Sequence, residues 1–78
     1  MELIITSPKE ELIFDNIHSI TLPGKMGSFT ILDDHAPIIS LLKKGDLSYC
    51  CDKGNKTKIK IEGGVMEAKQ NKVIVCKD

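Results

Sequence analysis

The segment Thr57–Glu62, TKIKIE, shows the clearest structural pattern in this chain of 78 residues. Its two isoleucines share one face with Thr57, and its two lysines share the other face with Glu62. A period of two is typical of a β-strand with one buried and one solvated face. The segment therefore predicts an amphipathic strand, and the rest of the chain can be compared with it.

Similar short runs follow one another along the whole sequence. They are separated by turn-forming pairs such as Pro23-Gly24, Gly63-Gly64 and Gln70-Asn71. Short strands at this spacing predict an all-β fold, a small β-sandwich or flattened barrel of about nine to ten strands. The nine runs are LIIT, LIF, SITL, SFTIL, IISLL, LSYCC, TKIKI, VMEA and KVIVC.

The segment Asp33–Gly45, DDHAPIISLLKKG, fits two structures. As a helix, it would have an aspartate N-cap, Pro37 in its first turn and Gly45 at its C-terminus. The β-branched pair Ile38-Ile39 and the regular spacing of turns favour a strand. We predict a strand here.

Length and composition predict one domain over residues 1–78, with a small core. No apolar stretch reaches the roughly 18 residues of a membrane-spanning helix, and the N-terminus does not resemble a signal peptide. The cysteines, Cys50, Cys51 and Cys76, are odd in number and do not suggest a disulfide framework. We expect a soluble protein in a reducing cytoplasm, without direct membrane insertion. Cys76 and at least one of the adjacent pair are predicted to be small buried hydrophobes.

The net charge is zero, but the charges are unevenly distributed. Residues 1–39 carry six acidic and two basic residues, and residues 40–78 carry five acidic and nine basic ones. All basic residues are lysines, and only Tyr49 among the three aromatic residues lies in the basic half. Single-stranded nucleic acid requires a basic groove with stacking aromatics, so we expect no nucleic-acid partner.

The lysines in and beside TKIKIE have two interpretations. They form either a solvated sheet face, which is the common arrangement, or a patch that binds an acidic partner. The residues concerned are Lys53, Lys56, Lys58 and Lys60.

The runs LIIT, IISLL and KVIV are apolar at consecutive positions and so have apolar residues on both faces. In a two-layer sandwich, only one face of each sheet meets the core. The surplus apolar residues then lie outside and indicate a docking surface. Alternatively, these strands are central in a tightly curled barrel.

The stretch Leu22–Pro37, LPGKMGSFTILDDHAP, contains the residues that most obviously suggest catalysis. A histidine beside a carboxylate can act as a general base, and Asp33 and His35 point to the same side of an extended chain. No motif places a nucleophile beside them, and no second histidine lies at metal-ligand spacing. We therefore predict no enzyme activity, no metal and no cofactor, and interpret the segment as an aspartate-rich turn.

The glycines are interpreted structurally. Gly24 and Gly27 lack the following Lys-Ser/Thr pair of a phosphate-binding loop, so positive backbone angles in a turn explain them better. Gly63-Gly64, between two runs, predicts a bulge or a close backbone approach.

Two motifs resemble those of a known family. The segment LPGKMGSFTILDDHAPIISLLKKGDL resembles the N-terminal domain of the epsilon subunit of F-type ATP synthase, which reads roughly Gly-x-x-Gly-x-x-Gly-Ile-x-Pro-x-His-Ala-Pro. The segment IEGGVMEAKQNKVIVCKD resembles the family's next signature, a Gly-Gly pair, a glutamate, an asparagine turn and a valine-rich strand. The matching residues are Gly24, Gly27, Ile31, His35, Ala36, Pro37, Gly45, Gly63, Gly64, Glu67, Asn71 and Val73–Val75.

The sequence departs from this pattern at two positions of the first motif and at its end. Thr30 replaces the third glycine and Asp33 replaces the proline. Many family members continue into a helical hairpin that regulates ATP hydrolysis or binds ATP. The sequence ends at Asp78, before any such hairpin, so we expect no C-terminal helical domain and do not carry those activities over.

The resemblance implies a non-catalytic rotor subunit of the central stalk. It would dock on the gamma subunit and the c-ring, within the assembly of alpha, beta, gamma, delta and epsilon subunits. It would help couple ion translocation, such as proton transport, to ATP synthesis. Its location would be peripheral, at the cytoplasmic face of the inner membrane. A free-standing β-barrel binding module with an unrelated partner is the alternative.

The resemblance also implies which residues contact the partners. They would lie in loops at the end facing the c-ring and gamma, with the histidine near the glycine-rich turn: Gly27, Ser28, Phe29, His35, Ala36 and Pro37. Gly27 is predicted to be critical for its backbone conformation.

Overall fold

The computed structural model describes residues 1–51 and 54–78, and this part of the chain forms nine β-strands and no helix. The predicted all-β sandwich is confirmed, and each of the nine apolar runs lies in a strand. The strands are β1 (Glu2–Thr6), β2 (Glu11–Phe14), β3 (Ile17–Gly24), β4 (Gly27–Leu32), β5 (Ile38–Leu42), β6 (Gly45–Cys51), β7 (Lys56–Ile61), β8 (Gly64–Lys69) and β9 (Lys72–Lys77).

The strands form one curled sheet that doubles back over its own core. The hydrogen-bonded order is β2-β1-β9-β8-β5-β3-β6-β7, and β4 pairs with the other side of β3. At the bend, β5 and β3 share a single residue pair, Gly24 with Leu42. We call β2-β1-β9-β8-β5 the first layer and β4-β3-β6-β7 the second layer.

The ambiguous segment is a strand, as predicted. β5 pairs antiparallel with β8 over its whole length, from Ile38 opposite Ala68 to Leu42 opposite Gly64. This pairing satisfies the backbone groups of β5 that face β8. In the part of the chain that the structure describes, there is also no helix long and apolar enough to cross a membrane.

The core lies between the two layers and follows the period of two. In β1, Leu3 and Ile5 are fully buried, whereas Ile4 between them faces outward and is half-buried. Each fully buried side chain of this size contributes roughly 1.5–3 kcal/mol. The core residues are Leu3, Ile5, Ile17, Ile20, Leu22, Ile31, Leu42, Leu47, Ile61, Met66, Ala68, Val73 and Val75.

The chain's two ends meet through a parallel pair. β1 runs parallel to β9, with Leu3 beside Val73 and Ile5 beside Val75, whereas every other strand pair is antiparallel among the described strands. Residues more than 65 positions apart thus form neighbouring rows of the core.

Gly63 and Gly64 form the predicted close backbone approach. Both have positive φ angles, +142° and +149°. A Cβ atom on Gly64 would collide with the carbonyl oxygen of Cys76 and lie 3.0 Å from the Cα of Lys77. No L-residue fits here without moving β9, because the obstructing atoms are backbone.

We predict that Gly64→Ala lowers the free energy of unfolding by about 3 kcal/mol, combining backbone strain with overpacking. Gly54→Ala is the matched control, because Gly54 also has a positive φ (+78°) but an added Cβ meets nothing within 4 Å. The control should lose only about 1 kcal/mol. Urea unfolding of the two variants measures the difference. Equal losses would contradict the proposed clash.

Candidate docking surfaces

The turn between β3 and β4 projects from one end of the sandwich. Gly24 pairs with Gly27 across a two-residue loop, and Met26 at its tip is fully exposed. Gly27 has a φ of +132°, as the sequence predicted. Gly24 does not have a positive φ, and this part of the prediction was wrong. An added Cβ on Gly24 would lie 2.7 Å from the Gly27 carbonyl oxygen and 2.8 Å from the Phe29 ring, so Gly24 is required for space.

The structure separates the six predicted contact residues. Gly27 and Ser28 lie at the hairpin end of β4, whereas His35, Ala36 and Pro37 lie in the loop beyond its other end. A strand of six residues spans about 20 Å, so most of the length of β4 lies between the glycine turn and the start of the histidine loop. That these residues contact the c-ring and gamma stays a prediction.

Phe29, in the middle of β4, lines a groove together with the residues of the loop that follows the strand. Four of the predicted residues (Phe29, His35, Ala36 and Pro37) line an open groove of about 490 Å³ beside β4. Leu32 and Ile38 also line it and are 60% and 41% exposed. The groove lies between the free edge of β4 and the loop that leads into β5. We call it the β4 groove.

His35 has an unsatisfied ring nitrogen in this groove. Its Nδ1 donates to the carbonyl oxygen of Ala36 at 3.2 Å, which leaves Nε2 as an acceptor. Nε2 is buried and has no hydrogen-bond partner among the described residues. A buried polar atom without a partner is costly, so a donor from another molecule would be stabilising here.

Asp33 does not form a catalytic pair with His35. Its carboxylate accepts a hydrogen bond from His18 Nδ1 at 2.8 Å and another from the Met1 ammonium at 3.2 Å. The same ammonium donates to the Ile17 carbonyl oxygen at 2.8 Å. The general-base arrangement considered from the sequence is therefore replaced by an ion pair that fixes the end of β4.

The outer face of the first layer is largely apolar. Its strands align Ile13, Ile4, Ile74, Glu67 and Ile39 in one row, and Cys76, Val65 and Leu41 lie in the next. Ile39, Leu41 and Ile13 are 71%, 57% and 55% exposed. We call this surface the apolar face. The sequence left two alternatives for the runs LIIT, IISLL and KVIV, which are apolar on both faces. Their surplus apolar residues lie on the outside of the sandwich rather than inside a barrel.

Cys76 on the apolar face is exposed, and the prediction of a buried Cys76 was wrong. A residue on β9 faces the core only at alternate positions, and Val73 and Val75 occupy them. Cys51, by contrast, is half-buried and packs against the core. The described residues contain no group of three or more side chains suited to hold a metal ion.

The outer face of the second layer is polar. The hydroxyl groups of Thr21 and Thr30 lie 2.9 Å apart across β3 and β4 and form a hydrogen bond. Lys56, Lys58 and Lys60 of β7 are exposed, which fits a solvated sheet face, and Lys53 lies outside the described residues. The two outer faces therefore differ sharply in chemistry.

The fold and its pattern of turns define a β-sandwich domain of a known family. The whole chain, residues 1–78, matches the family model described as "ATP synthase, Delta/Epsilon chain, beta-sandwich domain". The chain therefore belongs to this family, and the resemblance noted from the sequence is confirmed.

Curated relatives agree over the full length of this chain. The ATP synthase epsilon chain of Solibacter usitatus is 33% identical over 78 residues, which are 100% of this chain and 58% of that protein. That of Leptospira borgpetersenii is 37% identical, over 100% of this chain and 61% of that protein. The chain thus spans about 60% of the length of the relatives it matches.

Solved structures share the fold. A chain in the central stalk and c-ring structure of the Tetrahymena thermophila mitochondrial ATP synthase superimposes with a TM-score of 0.81 at 20% identity, covering 97% of this chain and 61% of that one. A chain of the Euglena gracilis mitochondrial ATP synthase gives 0.88 at 22% identity, covering 96% and 48%. At this identity the likeness supports the fold alone.

We predict a pH dependence from Asp33. The hydrogen bond from His18, and then that from the Met1 ammonium, lower the pKa of Asp33 below its ordinary value of 3.8. Because the folded-state pKa is lowered, the stabilisation by the carboxylate is fully present above the ordinary pKa of 3.8. It is lost as the pH falls from there through the lowered folded-state pKa. The difference in unfolding free energy between the wild type and Asp33→Asn should shrink over this acidic range.

Carbon NMR titration of the Asp33 carboxyl group measures the pKa directly. The midpoint should lie below 3.8 in the wild type and rise in His18→Ala. A wild-type midpoint at or above 3.8, or one that His18→Ala leaves in place, would contradict the ion pair.

Proposed function

We propose that residues 1–78 form one domain that acts as the β-sandwich of an ATP synthase epsilon subunit in the central stalk. It is a non-catalytic rotor component that docks on the gamma subunit and the c-ring and helps couple ion translocation to ATP synthesis. Its location is peripheral, at the cytoplasmic face of the inner membrane, within the synthase complex. Family membership over the whole chain supports this proposal.

The observation that carries the proposal is the apolar face. Isoleucines from four strands lie in one row that only Glu67 interrupts, Val65 and Leu41 lie in the adjacent row, and Ile39 is 71% exposed. Contiguous apolar surface of this kind marks an interaction site. Covering it with the gamma subunit would bury these residues and would also stabilise a domain whose own core is small.

Glu67 and Lys69 lie on the same outer side of β8 as Val65, with 3.9 Å between Glu67 Oε2 and Lys69 Nζ. Glu67 is half-buried and stands in a row that is otherwise isoleucine. A charged group among apolar residues contributes to specificity more than to affinity. We propose that it helps fix the orientation of the docked partner.

The resemblance assigns the six contact residues to the c-ring and gamma together, and we propose that the hairpin end faces the c-ring. Gly27 and Ser28 lie there, beside the exposed tip residues Lys25 and Met26. A two-residue turn brings backbone close to a partner with little obstruction. We propose that the β4 groove, which is lined by Phe29, His35, Ala36 and Pro37, faces gamma.

The geometry around Asp33 supports a non-catalytic role. The candidate base, His35, donates to a backbone carbonyl, and the candidate carboxylate is engaged by His18 and the Met1 ammonium. A general base must reach the proton that it removes. The Asp33–His35 unit considered from the sequence therefore lacks the required arrangement.

We predict that Ile39→Asp weakens binding to the α3β3γ subcomplex of the same synthase about 30-fold or more, because a carboxylate would be buried against apolar surface. Lys58→Asp is the control: it introduces the same side chain at an exposed position of an edge strand on the polar outer face. It should leave affinity within about twofold. Fluorescence titration with purified α3β3γ measures both dissociation constants.

The outcomes distinguish the rotor function from that of a free-standing binding module. Equal effects of both variants would contradict docking through the apolar face. If the wild-type chain shows no affinity for α3β3γ, the rotor proposal fails, and a free-standing binding module with an unrelated partner becomes the better explanation.

We also predict that Gly27→Val reduces incorporation into the membrane-bound synthase while the isolated domain stays folded. An added Cβ meets nothing within 4 Å, but a φ of +132° strains any L-residue by about 1–3 kcal/mol. Gly54→Val controls for lost stability, because Gly54 also has a positive φ (+78°) and an added Cβ there also meets nothing within 4 Å. Quantitative recovery of the synthase from membranes tests this. Equal incorporation of both variants would overturn the role of Gly27.

A further inference from the structure

Three strands of the curled sheet pair with only one neighbour among the described strands. β2 pairs with β1, β7 with β6 and β4 with β3, so each has a free edge. Free edges invite pairing with other chains, and proteins commonly protect them with charged residues, with prolines or by keeping the strand short. The three edges of this molecule differ in this protection.

Two of the edges are protected. β7 carries three lysines in six residues, and β2 has only four residues and begins with a glutamate. β4 has neither device. Its six residues, Gly27–Leu32, include no charged residue and no proline. Among the three strands with a single neighbour, β4 is therefore the only one without such protection.

The backbone of β4 directs hydrogen-bonding groups toward this free edge. Pro23 pairs with Ser28, but Pro23 has no N–H, and its carbonyl accepts a hydrogen bond from Lys43 N at 2.8 Å, on the side away from β4. Pro23–Ser28 is thus a non-hydrogen-bonded pair of the β3–β4 ladder. Since the pattern alternates, the N–H and C=O groups of Ser28, Thr30 and Leu32 point away from β3.

These groups border the β4 groove, which supplies the remaining elements of a binding site. Leu32 and Ile38 expose apolar surface on its sides, and the groove volume is about 490 Å³. His35 Nε2 adds a buried acceptor that has no partner among the described residues. A free strand edge, apolar walls and an unmet acceptor together fit an extended polypeptide.

We propose that the free edge of β4 accepts an extended segment of the stalk partner by β-strand addition. The segment hydrogen-bonds to the backbone of Ser28, Thr30 and Leu32, places alternate apolar side chains against the β4 groove, and donates a hydrogen bond to His35 Nε2. Strand addition of this kind takes its affinity from main-chain hydrogen bonds and its specificity from side-chain pockets. The inference rests on the proposed docking to gamma and specifies how β4 takes part in it.

The test removes a single edge donor. Thr30→Pro deletes the outward N–H, which the β3–β4 ladder does not use, and proline is tolerated on such an edge. Thr30→Val is the matched control, because it also loses the hydroxyl bonded to Thr21 but keeps the N–H. With purified α3β3γ as the probe, Thr30→Pro should bind about tenfold more weakly than Thr30→Val. Affinities equal within twofold would overturn strand addition.

A second pair of variants covers the case in which Thr30→Pro does not fold. Circular dichroism and urea unfolding establish whether Thr30→Pro remains folded. If it does not, Ser28→Pro is compared with Ser28→Ala, since the N–H of Ser28 also points to the free edge. The same tenfold difference is expected, and its absence would overturn the proposal.

Hydrogen exchange gives a direct readout. The amides of Ser28, Thr30 and Leu32 should exchange rapidly in the free chain and at least about tenfold more slowly in the α3β3γ complex, and the His35 Nε2 resonance should shift.

If the chain binds α3β3γ and Ile39→Asp weakens that binding while these amides stay unprotected, strand addition fails and the proposed function stands. If the wild type does not bind, the proposed function itself has failed. Protection that appears without the probe and with rising chain concentration would show β4 pairing between two copies and overturn the proposal.

Discussion

The contact between β3 and β5 is the constraint on which the rest of the structure depends. These strands share one residue pair, Gly24 with Leu42, and two flanking backbone hydrogen bonds, Lys25 N to Leu41 O at 3.0 Å and Lys43 N to Pro23 O at 2.8 Å. Gly24 is buried against Phe29 and has no room for a side chain. Because the sheet turns at this point, the buried faces of its two layers meet and exclude water from one common core.

The chemical difference between the two outer faces follows from this closure of the sheet. Once the core positions of β1, β5, β8 and β9 are filled, their remaining apolar residues can only lie outside. The second layer instead exposes threonine and lysine on its outer side. A molecule with one apolar and one polar outer face has an orientation built into it, because only one face gains free energy when a partner covers it. This asymmetry is suited to a component held in a fixed orientation within a larger assembly.

β4 is the part of the sheet least supported by neighbours. It is held by β3 on one side, by the hairpin at its start and by the Asp33 ion pair just after its end. The contacts of Asp33 with His18 and the Met1 ammonium anchor the chain where it leaves β4. The free edge is thus kept in an extended conformation from both ends without being paired. An edge that is ordered in advance loses less conformational entropy when another strand binds to it.

The sequence by itself determined the secondary structure and much of the fold class. The period of two in TKIKIE, the spacing of turn residues and the pair Ile38-Ile39 gave nine strands and no helix, because these are local properties of consecutive residues. The positive φ angle of Gly27 and the close backbone approach at Gly63-Gly64 were equally local, and the two motifs identified the family. Tertiary structure alone decided the exposure of Cys76, the parallel pairing of β1 with β9, and the partnership of Asp33 with His18 rather than His35. It also separated Gly27 from His35 by the length of β4, although the two lie only eight positions apart. These features depend on which strands become neighbours, and strand neighbours are chosen by closure of the common core rather than by any one segment.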